Sequence, residues 1–167
     1  MPYKFDFSGE INTNNINTLI TYIRSIKNLT SDDTLIININ SMGGNVSDGI
    51  AIYNFLKQLK CKIVTNNLGD VSSAAILLYM AGNIRTASDV SKFMFHPIKM
   101  GINSSLNFYQ IKELMNNLER DINNYYAIIT AELPSITNYY NLSHILKYDS
   151  LILGKSDAIA CGIITMQ

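Results

Sequence analysis

The chain has 167 residues, 47% apolar and 16% charged, and its thirteen basic and thirteen acidic side chains cancel. That length fits one domain, residues 1–167, with a substantial core; zero net charge excludes the basic footprint of a nucleic-acid binder and is compatible with self-association. No apolar run reaches the roughly eighteen residues of a membrane span, and the N-terminus lacks a basic-then-apolar leader. Cys61 and Cys161 have no metal-ligand spacing, so a reduced, cytoplasmic chain without a bound metal is expected.

In chain order, Tyr3–Phe7 alternates like a strand and Gly9-Glu10 turns it. Asn12–Ile26 carries Ile16, Leu19, Ile20 and Ile23 at helical spacing, with Asn and Thr available as caps. Leu35–Asn40 reads as a second strand, Ser41–Gly49 as a glycine-bearing turn and Ile50–Leu59 as a helix. Cys61–Asn66 is a third strand, after which Gly69 permits a sharp turn and Ala74–Ala81 forms a buried helix stopped by Gly82. Asn83–Ala87 is a short strand, Ser88-Asp89 a turn, Ser91–His96 another strand and Pro97–Ser105 irregular. Asn107–Leu133 is the longest helical pattern, with apolar residues three and four apart from Ile111 to Ile129, and Pro134 ends it. Leu142–Leu146 fits a short helical turn, and Asp157–Ala160 leads to a last strand, Gly162–Thr165. This alternation predicts a mostly parallel sheet covered by helices.

Three stretches carry chemistry. Ser72 and Ser73 stand where a strand hands over to the N-terminus of a buried helix, a place with free backbone N–H groups and a positive dipole that suits a developing oxyanion. Either serine could also serve only as a helix cap. Gly43-Gly44 exposes further N–H groups without side chains to shield them. Lys92–His96 ends an apolar strand on an imidazole, one of two histidines in the chain; the other, His144, lies in a short helix where solvation is the default.

In that order, INSMGGNVSDGIAIYNFL, GDVSSAAILLYMAG, SKFMFHP and the closing SDAIACGII resemble the Clp protease proteolytic-subunit family of serine peptidases, and within it the short phage and bacterial members. The resemblance runs over about Leu35–His96 and Asp149–Ile164. It implies an α/β fold of the crotonase-like (ClpP/crotonase) type, built from repeated ββα units on a mostly parallel sheet. It also implies a handle helix over about residues 107–133 that interleaves with an opposing subunit. Counting four residues on from Gly69, it places the nucleophile at Ser73, the general base at His96, the acid at Asp149 and the oxyanion donors at the N–H groups of Gly44 and Ala74. The helix beginning near Ser73 is an independent physical reason for the Ala74 donor.

Two departures bear on catalysis. Ala75 stands where the family has glycine, and counting back from Gly162 puts Ser150, one residue after Asp149, at the family's acid position. A one-residue loop insertion restores Asp149 at small entropic cost. The implied function is a serine endopeptidase that cleaves peptides or unfolded proteins in an oligomeric chamber, with stacked rings compatible and no cofactor. A catalytically impaired ring subunit or scaffold is the alternative. A crotonase-type acyl-CoA enzyme ranks last, because the chain offers Ser73 and His96 where that chemistry expects carboxylates. Nothing favours a Ser–Lys dyad through Lys92 or Lys99. Met1-Pro2 leads directly into Tyr3–Phe7 and no Gly-Lys-Ser/Thr phosphate loop is present, so ungated cleavage without a Clp-type ATPase is expected.

Overall fold

The computed structural model describes residues 2–99, 101 and 105–165. Its organising element is a sheet in the order β1 (Pro2–Ser8), β2 (Thr34–Ser41), β3 (Lys62–Ser72), β5 (Lys92–Phe95), β6 (Leu151–Gly154), with β4 (Ile84–Ala87) pairing β3 beside β5. All pairings are parallel except β5 with the edge strand β6, which is antiparallel. The helices are α1 (Thr13–Ser25), α2 (Val46–Lys57), α3 (Ala75–Met80), α4 (Phe108–Glu132), α5 (Leu142–Tyr148) and α6 (Lys155–Ala160). Alternate residues of β2, Leu35, Ile37 and Ile39, are fully buried, as the two-residue period of a strand requires. Asparagine side chains cap α1, α2, α4 and α5 by accepting from a first-turn N–H, and Asn107 with Gln110 forms a reciprocal capping box on α4.

Several elements differ from the sequence expectation. β3 does not turn at Gly69 but continues to Ser72; its first half pairs β4 and its last three residues pair β5. Among the described residues Gly69 itself has no ladder partner; pairing with β4 before it and β5 after it carries the strand through a register shift against β2, where the Asn67 and Asn40 side chains accept from the N–H groups of Gly69 and Asp70. α2 starts at Val46, capped by Asn45, four residues ahead of Ile50. Gly162–Thr165 forms no strand: Thr165 makes one backbone hydrogen bond to the Arg85 carbonyl of β4 at 3.0 Å, and an unexpected strand, β6, pairs β5 instead. Of the irregular stretch Pro97–Ser105, Met100 and residues 102–104 lie outside the described residues.

α4 is the long second-half helix. At about 1.5 Å per residue its 25 residues span about 37 Å. Tyr125 and Ile129, near its C-terminal end, are buried in the core, whereas Phe108, Tyr109, Ile111 and Met115 at the other end are exposed. A polar anchor ties its last turn down. Glu132 accepts from the Tyr53 hydroxyl at 2.6 Å and pairs with Lys57 at 2.8 Å and with buried Arg85 at 3.8 Å. Arg85 also donates to the carbonyls of Ile163 and Gly162, so one guanidinium joins β4, α4 and the C-terminal segment. Burial pushes the Glu132 carboxyl up, but the hydrogen bonds from Lys57 and Tyr53 and the charges of Lys57 and Arg85 outweigh it and hold it below the usual range.

Arg85→Ala is therefore expected to cost roughly 3 kcal/mol in denaturant unfolding, because it leaves the Ile163 and Gly162 carbonyls without their donor and removes one of the charges facing Glu132. The lowered folded-state value of Glu132 contributes stability that is present above its unfolded value and is lost as pH falls through the folded one. In acid titration, Glu132→Gln should flatten that part of the decline; an unchanged acid limb would remove Glu132 from it.

Candidate active site

Strand register brings the singled-out residues together. Ser72 pairs Met94, so the next residue of β3, Ser73, emerges beside the end of β5, one residue short of His96. Ser41 pairs Val71 on the other side, which carries Gly43 to Ser73. Phe95 pairs Leu151 antiparallel, so continuing that register sets Ser150 opposite His96 and Asp149 just beyond.

Ser73 occupies the turn between β3 and α3 with φ +54°, the left-handed region that side chains other than those of Gly, Asn and Asp seldom occupy. Such a conformation costs about 1–3 kcal/mol and persists only where the surroundings impose it. Here the Ser73 N–H donates to Met94 O at 2.8 Å, and its carbonyl accepts from Ile76 N–H at 3.0 Å and from the Tyr125 hydroxyl at 3.0 Å. Gly43 presses on the same turn: a Cβ built there would sit 2.6 Å from both the Ser72 carbonyl oxygen and Ser73 Cβ, and its φ is +98°. α3, which follows, is buried on every side, has Ala74 as its N-cap residue and takes no side-chain cap. Neither serine thus caps the helix. Among the described residues, the N–H groups of Ala74 and Gly44 enter no hydrogen bond.

The two serines differ sharply. Ser72 is completely buried and its Oγ has no partner, whereas Ser73 is half-buried and lines a cleft of about 250 Å³ together with His96, Gly44, Met42 and Lys99. His96 and Lys99 also line an adjoining cleft of about 450 Å³ with Asp149, Ser150 and Tyr148. His96 Nδ1 lies 2.9 Å from the Pro97 carbonyl oxygen, and since a carbonyl only accepts, Nδ1 carries the proton and Nε2 is left as the basic nitrogen. Asp149 Oδ1 accepts from Ser150 N–H at 2.7 Å. The imidazole and the carboxylate therefore share a cleft while each is engaged by a neighbour in sequence. The His144 ring lies tilted against Tyr148, with centroids 5.4 Å apart, and lines neither cleft. Among the described residues no group of three or more His, Cys, Asp or Glu side chains is placed to hold a metal ion, and no helix is long and apolar enough to cross a membrane.

The sequence reading missed the left-handed Ser73, the Pro97 acceptor and Tyr125. The last had a signal: a phenol within the apolar spacing of α4 needs a hydrogen-bond partner once buried.

Comparison with known proteins gives one family. A family model described as Clp protease matches residues 4–165. The proteolytic subunit 2 of the ATP-dependent Clp protease of Borreliella burgdorferi is 27% identical over 95 residues, covering 54% of this chain and 47% of that protein. The ATP-dependent Clp protease proteolytic subunit of Borreliella afzelii is 30% identical over 91 residues, covering 53% and 46%. The chain thus spans about half the length of the curated relatives it matches. Among solved structures, a point mutant of ClpP1 from Listeria monocytogenes superposes with a TM-score of 0.82 at 21% identity, covering 96% of this chain and 88% of that one. A peptidase from Plasmodium falciparum gives 0.75 at 20%, covering 98% and 93%. At these identities the structures bear on the fold, which is of the ClpP type.

The Gly43 contact predicts that Gly43→Ala, which must displace the serine turn and strain its own backbone, costs about 2 kcal/mol or more. Gly154→Ala meets nothing within 4 Å and should stay within about 0.5 kcal/mol of the parent in the same denaturation experiment.

Proposed function

The chain belongs to the Clp protease family, and from that premise we propose that it is a serine endopeptidase acting on peptides or unfolded proteins. Ser73 is the nucleophile, His96 the general base, Asp149 the acid, and the N–H groups of Gly44 and Ala74 bind the oxyanion. One observation carries the reading: a strained, half-buried Ser73 shares a cleft with His96 and Gly44 at the start of a buried helix. Ser73 Oγ attacks the scissile carbonyl while His96 Nε2 takes its proton; the oxyanion lies against the two N–H groups; the imidazolium then protonates the leaving amine, and water resolves the acyl-enzyme by the reverse proton path. The shared cleft supports Asp149 as the acid. For it to act, the imidazole must exchange its Pro97 hydrogen bond for the carboxylate.

The separate engagement of His96 and Asp149 favours a second reading, a catalytically impaired ring subunit. Fluorophosphonate labelling separates the two. Labelling at Ser73 that survives Ser72→Ala and disappears in Ser73→Ala supports the peptidase, and a folded protein that takes no label supports the subunit. His96→Ala should abolish turnover, since it removes the base. Asp149→Asn should lower kcat at least tenfold, in rough terms, with KM little changed; wild-type kcat in that variant would leave tautomer control to the Pro97 carbonyl.

Oligomerisation belongs to the same proposal. The exposed Phe108, Ile111 and Met115 recur at three- and four-residue spacing on one helix face, the pattern of a helix that buries its stripe against another copy. Sedimentation should give a species well above 18.7 kDa, and Met115→Glu should shift it towards the monomer. A wild-type monomer at micromolar concentration removes the chamber.

A further inference from the structure

We propose that Tyr125 is a positioning residue that aims and strengthens the oxyanion-binding N–H of Ala74. This rests on the serine peptidase reading above.

The Tyr125 hydroxyl donates to the Ser73 carbonyl oxygen at 3.0 Å, from a side chain that is fully buried on α4. That carbonyl and the Ala74 N–H belong to a single peptide group. The group is planar and trans, so its C=O and N–H point in opposite directions, and a donor fixed on the oxygen fixes the direction of the hydrogen. A hydrogen bond to the carbonyl also polarises the amide and makes its N–H a stronger donor. The same oxygen accepts from Ile76 N–H at 3.0 Å, which belongs to the first turn of α3 and turns with it. Tyr125 is the anchor from outside that helix. It is needed because Ser73 sits at φ +54°, a conformation that the turn would leave if its neighbours allowed. The residue also ties the serine turn to α4, whose other end is exposed, so displacement of that helix would reach the Ser73–Ala74 peptide directly.

The test compares wild type, Tyr125→Phe and Ile129→Val. The last is a fully buried change one turn along the same helix that touches no hydrogen bond. Circular dichroism and urea unfolding report the fold and stability; peptide hydrolysis and the rate of fluorophosphonate acylation report the site. Tyr125→Phe should lower kcat and the acylation rate by roughly fivefold with KM unchanged, less than the hundredfold or more seen when an oxyanion donor is deleted outright. Ile129→Val should lose stability and keep its kcat. Equal kcat in wild type and Tyr125→Phe, or an equal fall in Ile129→Val, overturns the proposal. If Tyr125→Phe does not fold, 3-fluorotyrosine at position 125 decides: it keeps the ring and hydroxyl as a stronger donor, so acylation should quicken, and an unchanged rate overturns the assignment. A wild-type protein with no label at Ser73 removes the peptidase reading and this proposal together, whereas labelling at equal rates removes only the role of Tyr125.

Discussion

The structure depends on β3 being paired along both edges on either side of a register shift against β2, which falls between Asn67 and Val71. β2 pairs it on one side; β4 and then β5 share the other. A parallel ladder has no freedom to slip by one residue without turning every buried side chain outwards, and here Ile63, Thr65, Asn67 and Val71 are all buried. With register fixed, the chain segments leaving β2, β3 and β5 at the same end must emerge together. Gly43, Ser73 and His96 are those segments' first chemically useful residues. The site is thus a consequence of strand pairing before it is a consequence of side-chain contacts.

The strain at Ser73 follows from the same constraint. β3 ends fully extended against β5, and α3 must begin at once so that its six apolar residues, all buried, fill the space behind the sheet. No residue is left over for a relaxed turn, so the direction change falls on one left-handed residue. Met94, Ile76 and Tyr125 hold it by hydrogen bonds and Gly43 by contact. The Ser72 side chain just before the turn is fully buried, with no protein partner for its hydroxyl among the described residues.

α4 is stabilised unevenly. Its C-terminal half packs on the core and ends in the Glu132–Arg85–Lys57–Tyr53 network, while its N-terminal half relies on the Asn107–Gln110 capping box and on helical hydrogen bonds. Exposed Phe108, Ile111 and Met115 gain nothing from burial within one copy. Tyr125 stands where the packed half begins, which makes it the point at which events along the helix meet the serine turn.

The sequence alone determined the elements from β1 to α4 in their order and pointed to the stretches singled out for chemistry. The glycine turn after β2, the serines ahead of a continuous apolar helix and the strand ending on His96 are local signals, because strand period, helix spacing and glycine act over a few residues. The long helix α4 was legible for the same reason: its apolar spacing persists over many turns. Tertiary structure decided what depends on distant partners. Gly69 stayed in a strand because the segments on either side of it pair β4 and β5, and Gly162–Thr165 formed no strand because it meets β4 through Arg85 and a single backbone hydrogen bond. Burial separated Ser72 from Ser73, which the sequence told apart only through the resemblance, by the count from Gly69. Tyr125 met the Ser73 carbonyl across 52 residues of sequence, a contact set by how α4 lies on α3, and spacing along a single chain carries no record of that angle.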